Sequence, residues 1–75
     1  MATSHDVHVI PHGSGWRVRR ASRTISTHRT QRRAIVLGTR LARRTDAELV
    51  THGRNGRMRS KDSYGGEGSA LDLEH

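Results

Sequence analysis

The apolar residues of this chain change their spacing twice, and that change limits the fold more than any single motif does. In residues 7–19 and again in residues 48–61, apolar and polar side chains alternate, which is typical of half-buried strands. Between these two parts, apolar residues recur every three or four positions, which is typical of an amphipathic helix. One helix between two sets of strands predicts a sheet that the helix covers on one face.

The first part of the chain predicts a β-hairpin and a short third strand. One proline and two glycines fall within residues 11–15, which we therefore expect to form the turn. The sequence TIST at residues 24–27 is rich in β-branched side chains, which favour a strand. One face of the hairpin would hold Val7, Val9, Trp16 and Val18, and the other would hold His8, Arg17 and Arg19.

The middle of the chain predicts the helix. Thr30 has the side chain that an N-cap needs, and Arg43 and Arg44 suit the C-terminal end, where the helix dipole is negative. At about 100° per residue, the apolar side chains fall within an arc of roughly 160°. This stripe consists of Ala34, Ile35, Leu37, Gly38, Leu41 and Ala42, and the opposite side holds Arg32, Val36, Arg40 and Arg43.

The pair Asn55-Gly56 predicts a second hairpin, because a two-residue type I′ turn needs positive φ at both central residues. This turn would place Gly53 opposite Met58, His52 opposite Arg59 and Thr51 opposite Ser60. Leu49, Thr51 and Met58 would then share the face toward the helix, and the other face would hold His52, Arg54, Arg57, Arg59 and Lys61.

Together these elements predict an α+β fold of two layers, an antiparallel β-sheet with one packed helix in the order β-β-(β)-α-β-β. The core would consist of Val7, Val9, Trp16, Val18, Leu49 and Met58 under the helix, with Ile25 as a further candidate. The other sheet face would be open to solvent, which an antiparallel sheet allows. We expect a single domain at residues 7–65, between a disordered segment at residues 1–6 and a flexible tail at residues 66–75 that ends in tag-like residues.

Composition excludes several kinds of site. The chain has no cysteine, so disulfides and thiolate metal sites are ruled out. No apolar run approaches the roughly 18 residues of a membrane span, and we expect a cytoplasmic protein without a membrane partner. No paired-carboxylate pattern or nucleophile motif is present, which predicts that the protein is not an enzyme and uses no cofactor. The histidines His5, His8 and His12 are a weak metal pattern, because strand geometry points neighbours to opposite faces.

The chain is strongly basic. It has 14 basic and 7 acidic residues and a formal net charge of +7, and every basic residue except Lys61 is arginine. Such a charge favours nucleic acid or another acidic partner. A genome rich in G and C would also enrich arginine without any functional demand, so the charge alone leaves both interpretations open.

Three segments of the chain resemble a small bacterial family known as domain of unknown function 2188. They are VHVIPHGSGWRVRR, STHRTQRRAI and ELVTHGRNGRMRSKDSYG, which together cover most of residues 7–65. The resemblance implies a compact α+β domain and no known activity. Where the family's helices look mixed in charge, with Glu near the first turn, this chain has Arg33, so the resemblance implies that the strong basic character belongs to this member more than to the family.

Two function hypotheses follow. The first is a nonspecific nucleic-acid-binding module that contacts DNA or RNA phosphates through side chains of the open sheet face and the second hairpin. Its candidate residues are Arg17, Arg19, Arg54, Arg57, Arg59 and Lys61. The alternative is a protein-interaction or self-associating module, for example a homodimer, because a thin core with a free sheet edge favours a partner chain.

Overall fold

The computed structural model describes residues 6–64, and they form one helix and one five-stranded sheet. The elements are β1 (Val7–His12), β2 (Gly15–Arg20), β3 (Arg23–His28), α1 (Gln31–Arg44), β4 (Glu48–His52) and β5 (Met58–Ser63). The predicted α+β class and the order β-β-β-α-β-β are confirmed, including the third strand. The segments predicted as disordered or flexible lie outside the described residues, except for Asp6.

The strands lie in the order β3-β2-β1-β4-β5, and the central pairing corrects the expectation of a purely antiparallel sheet. Three neighbouring pairs are antiparallel, but β1 and β4 are parallel, with Val7 opposite Leu49 and Val9 opposite Thr51. The reason is the helix. Because β3 runs in the same direction as β1, and α1 carries the chain back across the sheet, β4 begins at the same end as β1 and runs beside it.

The core lies between α1 and one face of the sheet. Val7, Val9 and Val18 are fully buried, and Leu49 and Trp16 are nearly so, as predicted. They meet the small residues of the helix stripe, Ala34 and Ala42, which are also buried. Gly38 lies so close to the sheet that a Cβ there would come within 2.9 Å of Leu49 Cδ1 and 3.2 Å of Val9 Cγ2. The small stripe therefore allows the helix backbone to approach the valine-rich strands closely.

Both ends of α1 are capped. The Thr30 side chain accepts a hydrogen bond from the backbone N–H of Arg33 at 3.2 Å, which confirms the predicted N-cap. At the other end, the backbone N–H of Ala47 donates to the carbonyl of Ala42 at 2.9 Å, and Asp46 has a φ of 54°. This is the Schellman arrangement, with an aspartate where glycine is usual.

The turn of the second hairpin lies where it was predicted, but its type was wrong. The Gly56 N–H donates to the carbonyl of Gly53 at 2.8 Å, and the Gly53 N–H donates to the carbonyl of Arg57 at 2.7 Å. Gly56 has a φ of 87°, whereas Asn55 is not among the residues with positive φ. The loop therefore has three residues, of which the last is a left-handed glycine, and the Asn55 side chain accepts from the Arg57 N–H at 3.0 Å.

This longer loop explains why Met58 is not in the core. The loop shifts the pairing by one residue, so Met58 lies opposite His52, and a bulge at Arg59 restores the predicted pairing of Thr51 with Ser60. Met58 consequently falls on the face away from the helix and is 61% exposed. Ile25, the further core candidate, is also exposed, at 46%.

A type I′ turn does occur, but between β2 and β3. Arg20 pairs with Arg23, and the two residues between them, Ala21 and Ser22, have φ of 55° and 80°. Neither is the glycine or asparagine that such a turn favours, so this turn is not predictable from its residue types. This turn lies beside the face of the sheet that is turned away from α1.

Candidate nucleic-acid interface on the open face of the sheet

The face of the sheet turned away from α1 is here called the open face. Strand register decides its members, because residues directly opposite each other lie on the same face. His8 pairs with both Arg19 and Val50, Ile10 pairs with Arg17, and Val50 pairs with Lys61. The open face therefore includes His8, Ile10, Arg17, Arg19, Val50, His52 and Lys61, with Thr24 and Thr27 toward the β3 edge and Glu48 and Met58 toward the β5 edge.

Arg17 and Arg19 form the basic centre of this face. They are two residues apart on β2, so their Cα atoms are about 6.6 Å apart, and threonines of β3, Thr27 and Thr24, lie opposite them. Both arginines are half-buried. The Nε–H of Arg17 is shielded from solvent and has no hydrogen-bond partner among the described residues. A charged donor that is left unpaired in this way costs free energy, but its burial means that the Arg17 side chain must move before a phosphate oxygen can reach Nε.

Lys61 lies on the same face but already has a partner. Its Nζ is 3.1 Å from Oε1 of Glu48, and the side chains of Lys61 and Glu48 are 52% and 39% exposed. The hydrogen bond that Lys61 donates to Glu48, together with the negative charge of Glu48, raises the pKa of Lys61. Glu48 offsets the positive charge at this position, so Lys61 adds less to the potential of the open face than Arg17 or Arg19.

Arg54 is separated from the other predicted site residues. Its guanidinium lies over the ring of Trp16, with Cζ 4.6 Å from the ring centroid. It also donates hydrogen bonds to three carbonyls of the β1–β2 turn, those of Gly13, Ser14 and Gly15, at 3.3, 3.2 and 3.1 Å. These contacts give Arg54 a structural role, because they join the tip of the second hairpin to the first turn.

Arg57 and Arg59 remain exposed beside that tip. Arg57 follows the loop glycine Gly56, and Arg59 is the extra residue of the bulge in β5. No ion pair joins either of them to an acidic residue within the described part of the chain. Arg57 lies opposite Gly53, and Arg59 Cδ would be 3.3 Å from a Cβ on Gly53, so both arginines lie on the face of Gly53 and Thr51. The prediction that they share the open face with His52 and Lys61 was therefore wrong, because the longer loop and the bulge change the register, and any phosphate contact they make is at the hairpin tip.

Two histidines meet at the centre of the open face. His8 Nδ1 lies 3.1 Å from His52 Nε2, and the rings are 5.3 Å apart with a tilt of 31°. The other ring nitrogen of His52, Nδ1, lies 3.0 Å from the carbonyl oxygen of Gly56. Since a carbonyl only accepts, Nδ1 of His52 carries the proton. In the neutral pair, Nε2 of His52 is then the acceptor, and Nδ1 of His8 donates to it.

The surroundings hold the pKa of His8 below its usual value. Burial is the main cause, and the charges of His52, Arg19 and Lys61 add to it, while Asp6 acts in the opposite direction. His8, Arg19 and His52 line a shallow groove of about 420 Å³ together with Asp6 and Ser22. At neutral pH this groove therefore contains a neutral histidine next to an arginine, and acidification would add positive charge to it.

Residues 7–64 match the profile of a family described as an uncharacterized protein conserved in bacteria, DUF2188. The match spans every strand and the helix. The chain belongs to this family. A search of curated proteins and a search of solved structures gave no match. The DUF2188 frame thus includes the open face and both hairpins, and the family description assigns no activity to them.

The histidine contact in this DUF2188 chain was missed by sequence reasoning. Alternation placed His8 and His52 on one face, but only the parallel pairing of β1 with β4 makes them neighbours.

The described residues contain no group of three or more histidine, cysteine or acidic side chains able to hold a metal ion. The described part of the chain contains no helix that is long and apolar enough to cross a membrane.

Proposed function

We propose that this DUF2188 protein binds nucleic acid nonspecifically in the bacterial cytoplasm, acting by binding and not by catalysis. Phosphates would contact Arg17 and Arg19 on the open face and Arg57 and Arg59 beside the hairpin tip. The observation that carries the proposal is the position of Arg17 and Arg19 side by side on an open sheet face, with no acidic residue opposite either one in the register. Lys61 has a lesser part because of Glu48, and Arg54 has none.

The physical case rests on charge and shape. A strongly basic chain gains affinity for DNA or RNA by releasing counterions from phosphates, whatever the sequence of bases. Sheet faces and two-stranded ribbons are known surfaces for nucleic-acid contact. Of the tryptophan and tyrosine rings in the described chain, that of Trp16 lies beside the basic hairpin tip, and it is 6% exposed and covered by Arg54, so base stacking on it is not part of the proposal.

The test is fluorescence anisotropy with a labelled generic duplex and a matching single strand, over a series of salt concentrations. Two to four phosphate contacts should give a log–log slope of about −2 to −4, since each contact contributes roughly −0.9. The double variant Arg17→Glu, Arg19→Glu should abolish binding, whereas the exposed helix variant Arg32→Glu changes the charge elsewhere and should weaken it far less. If neither the duplex nor the single strand bound at about 50 mM salt, the proposal would be refuted.

A second candidate, self-association, is favoured by the edges of the sheet. β5 is exposed along its whole length, and neither β3 nor β5 has a further strand beside it in the described part of the chain. Unpaired edges can join two copies of a chain. Light scattering over a range of protein concentrations tests for such a dimer. The double variant Arg57→Glu, Arg59→Glu should leave the dimer intact and weaken nucleic-acid binding.

A further inference from the structure

The helix layer carries an apolar groove that the proposed nucleic-acid interface does not use. It is here called the α1 trough and consists of two adjoining depressions between α1 and β3, of about 500 and 270 Å³. Both depressions include Leu37 and Arg40. Its apolar floor is Ile25, Val36, Leu37 and Leu41, and its rim is Arg33, Arg40, Arg43 and Arg44.

The floor of the trough is exposed hydrophobic surface. Ile25 and Val36 are 46% and 52% exposed, and they are two of the three large hydrophobic residues with that degree of exposure in residues 6–64. Ile25 is directed there by the sheet, because it is the extra residue of a bulge between β2 and β3. Adjacent exposed apolar side chains with a polar rim are typical of a surface that binds a protein segment.

The charge of the rim defines the partner. α1 contains five arginines and no acidic residue, and within the described chain none of them forms an ion pair with a carboxylate. Arg43 contacts the Tyr64 ring, while Arg33, Arg40 and Arg44 are exposed along one side of the helix. A basic or neutral segment would leave these charges uncompensated, and a second copy of this chain would add its own arginines. An acidic partner complements them.

The shape of the trough favours a helical partner. From Arg33 to Arg44 it extends along α1 for about 16 Å, the length of about three helical turns. The bulge at Ile25 interrupts regular pairing along β3, which disfavours the addition of an extended strand at this edge. A helix instead presents apolar side chains at intervals of three and four residues, which suits a groove with an apolar floor.

We propose that the α1 trough docks an acidic amphipathic helix of a partner protein, with apolar side chains on Ile25, Leu37 and Leu41 and carboxylates against Arg33, Arg40 and Arg44. The trough lies on the opposite layer of the molecule from Arg17 and Arg19. The protein would therefore hold its acidic partner on one side and leave the open face accessible. This interaction does not depend on whether the open face binds nucleic acid.

The probe for the test is a labelled synthetic peptide of about 14 residues, with leucines at helical spacing of three and four and glutamates elsewhere. A scrambled peptide of the same composition is its control. Binding is followed by fluorescence anisotropy and by ¹H–¹⁵N NMR spectra of the whole chain. We expect saturable binding of the amphipathic peptide, weaker binding of the scrambled one, and shifts at Ile25, Leu37 and Leu41.

Three variants distinguish a specific trough from general charge attraction. Arg40→Glu should weaken peptide binding about tenfold or more, since this residue belongs to both depressions. Ile25→Ser should weaken it without a change of charge. Arg32→Glu is the matched control, because it makes the same charge change on the same helix outside the trough, and it should have little effect. Thermal unfolding confirms that each variant is folded.

Several outcomes would overturn the proposal. One is the absence of saturable binding up to about 1 mM peptide, since a dissociation constant of this size corresponds to a binding free energy of only about −4 kcal/mol. Others are equal binding of the scrambled peptide, an equal loss from Arg32→Glu, or NMR shifts centred on Arg17 and Arg19. A dimer of the protein alone that Ile25→Ser dissociates would show that a second copy occupies the trough. A nucleic-acid probe that displaces the peptide and causes the same shifts would assign the trough to nucleic acid.

Discussion

The guanidinium of Arg54 lies 4.6 Å from the centre of the Trp16 ring and so covers the one tryptophan of the core. The two residues are far apart in the sequence and come from different hairpins. Three further hydrogen bonds from Arg54 to the β1–β2 turn hold the two hairpins in one arrangement. This arginine stabilises the fold, even though the sequence presents it as one of a row of surface charges.

Replacing Arg54 with alanine should lower the free energy of unfolding by about 1–2 kcal/mol, from the lost ring contact and the lost hydrogen bonds. Arg54→Lys should recover only part of this, because an ammonium cannot reach three carbonyls with the guanidinium's planar geometry. Urea unfolding followed by Trp16 fluorescence measures both. The control is Arg57→Ala, next to the same loop, which should change stability by less than about 0.5 kcal/mol. Equal effects at both positions would contradict the structural role of Arg54.

The turn between β2 and β3 offers a stabilising substitution. Ala21 and Ser22 both have positive φ, which costs a residue with a Cβ about 1 kcal/mol or more. The double substitution Ala21→Asn, Ser22→Gly supplies the residues that a type I′ turn prefers and should raise the unfolding free energy by about 1 kcal/mol. Chemical denaturation measures the change. Ser60→Gly, in strand β5, is the control and should destabilise instead, because glycine is unfavourable within a strand.

Gly38 tests how closely α1 must approach the sheet. Alanine would gain about 1 kcal/mol in helix propensity, but its Cβ would come within 2.9 Å of Leu49 Cδ1. Crowding of this kind typically costs about 1–3 kcal/mol, so Gly38→Ala should destabilise the protein or leave it no more stable. The control is Thr39→Ala on the next position of the helix, which should stabilise it slightly. Thermal unfolding of both variants is the measurement, and a clear gain from Gly38→Ala would show that the helix can move outward at little cost.

The sequence predicted the parts of the fold that local patterns determine. Val7, Val9 and Val18 alternate, and α1 has its small stripe and its Thr30 cap, so these features were found in advance. The errors have a common cause, which is that pairing depends on distant parts of the chain. The parallel contact of β1 with β4 follows from where the helix returns the chain, and the exposure of Met58 follows from one extra loop residue.

The candidate site was predictable to a similar extent. Arg17 and Arg19 follow from alternation along one strand, and the structure places them together. The roles of Arg54 and Lys61 were not predictable, because Trp16 and the turn carbonyls, or Glu48, reach them only through strand register. For the same reason, the contact between His8 and His52 could not be derived from their spacing.

The last prediction concerns pH and rests on His8. Its pKa is lowered in the folded protein, chiefly by burial, from an ordinary value of 6.5. The unfolded chain therefore binds a proton at this residue more readily than the folded one, so the free energy of unfolding decreases as pH falls. This loss begins near pH 6.5 and continues until the pH is below the lowered value. Urea unfolding between about pH 7.5 and pH 5 should show the loss, and His8→Asn should reduce it.

The variant His52→Gln isolates the part that the histidine pair contributes. Glutamine keeps a hydrogen-bonding group next to His8 but removes the second ring charge, one of the causes that lower the pKa of His8. An NMR titration of the His8 ring protons should therefore give a pKa closer to the ordinary value in this variant than in the unchanged protein. If the pKa of His8 were the same in both, the contact with His52 would have no electrostatic effect, and burial with the charges of Arg19 and Lys61 would hold His8 neutral.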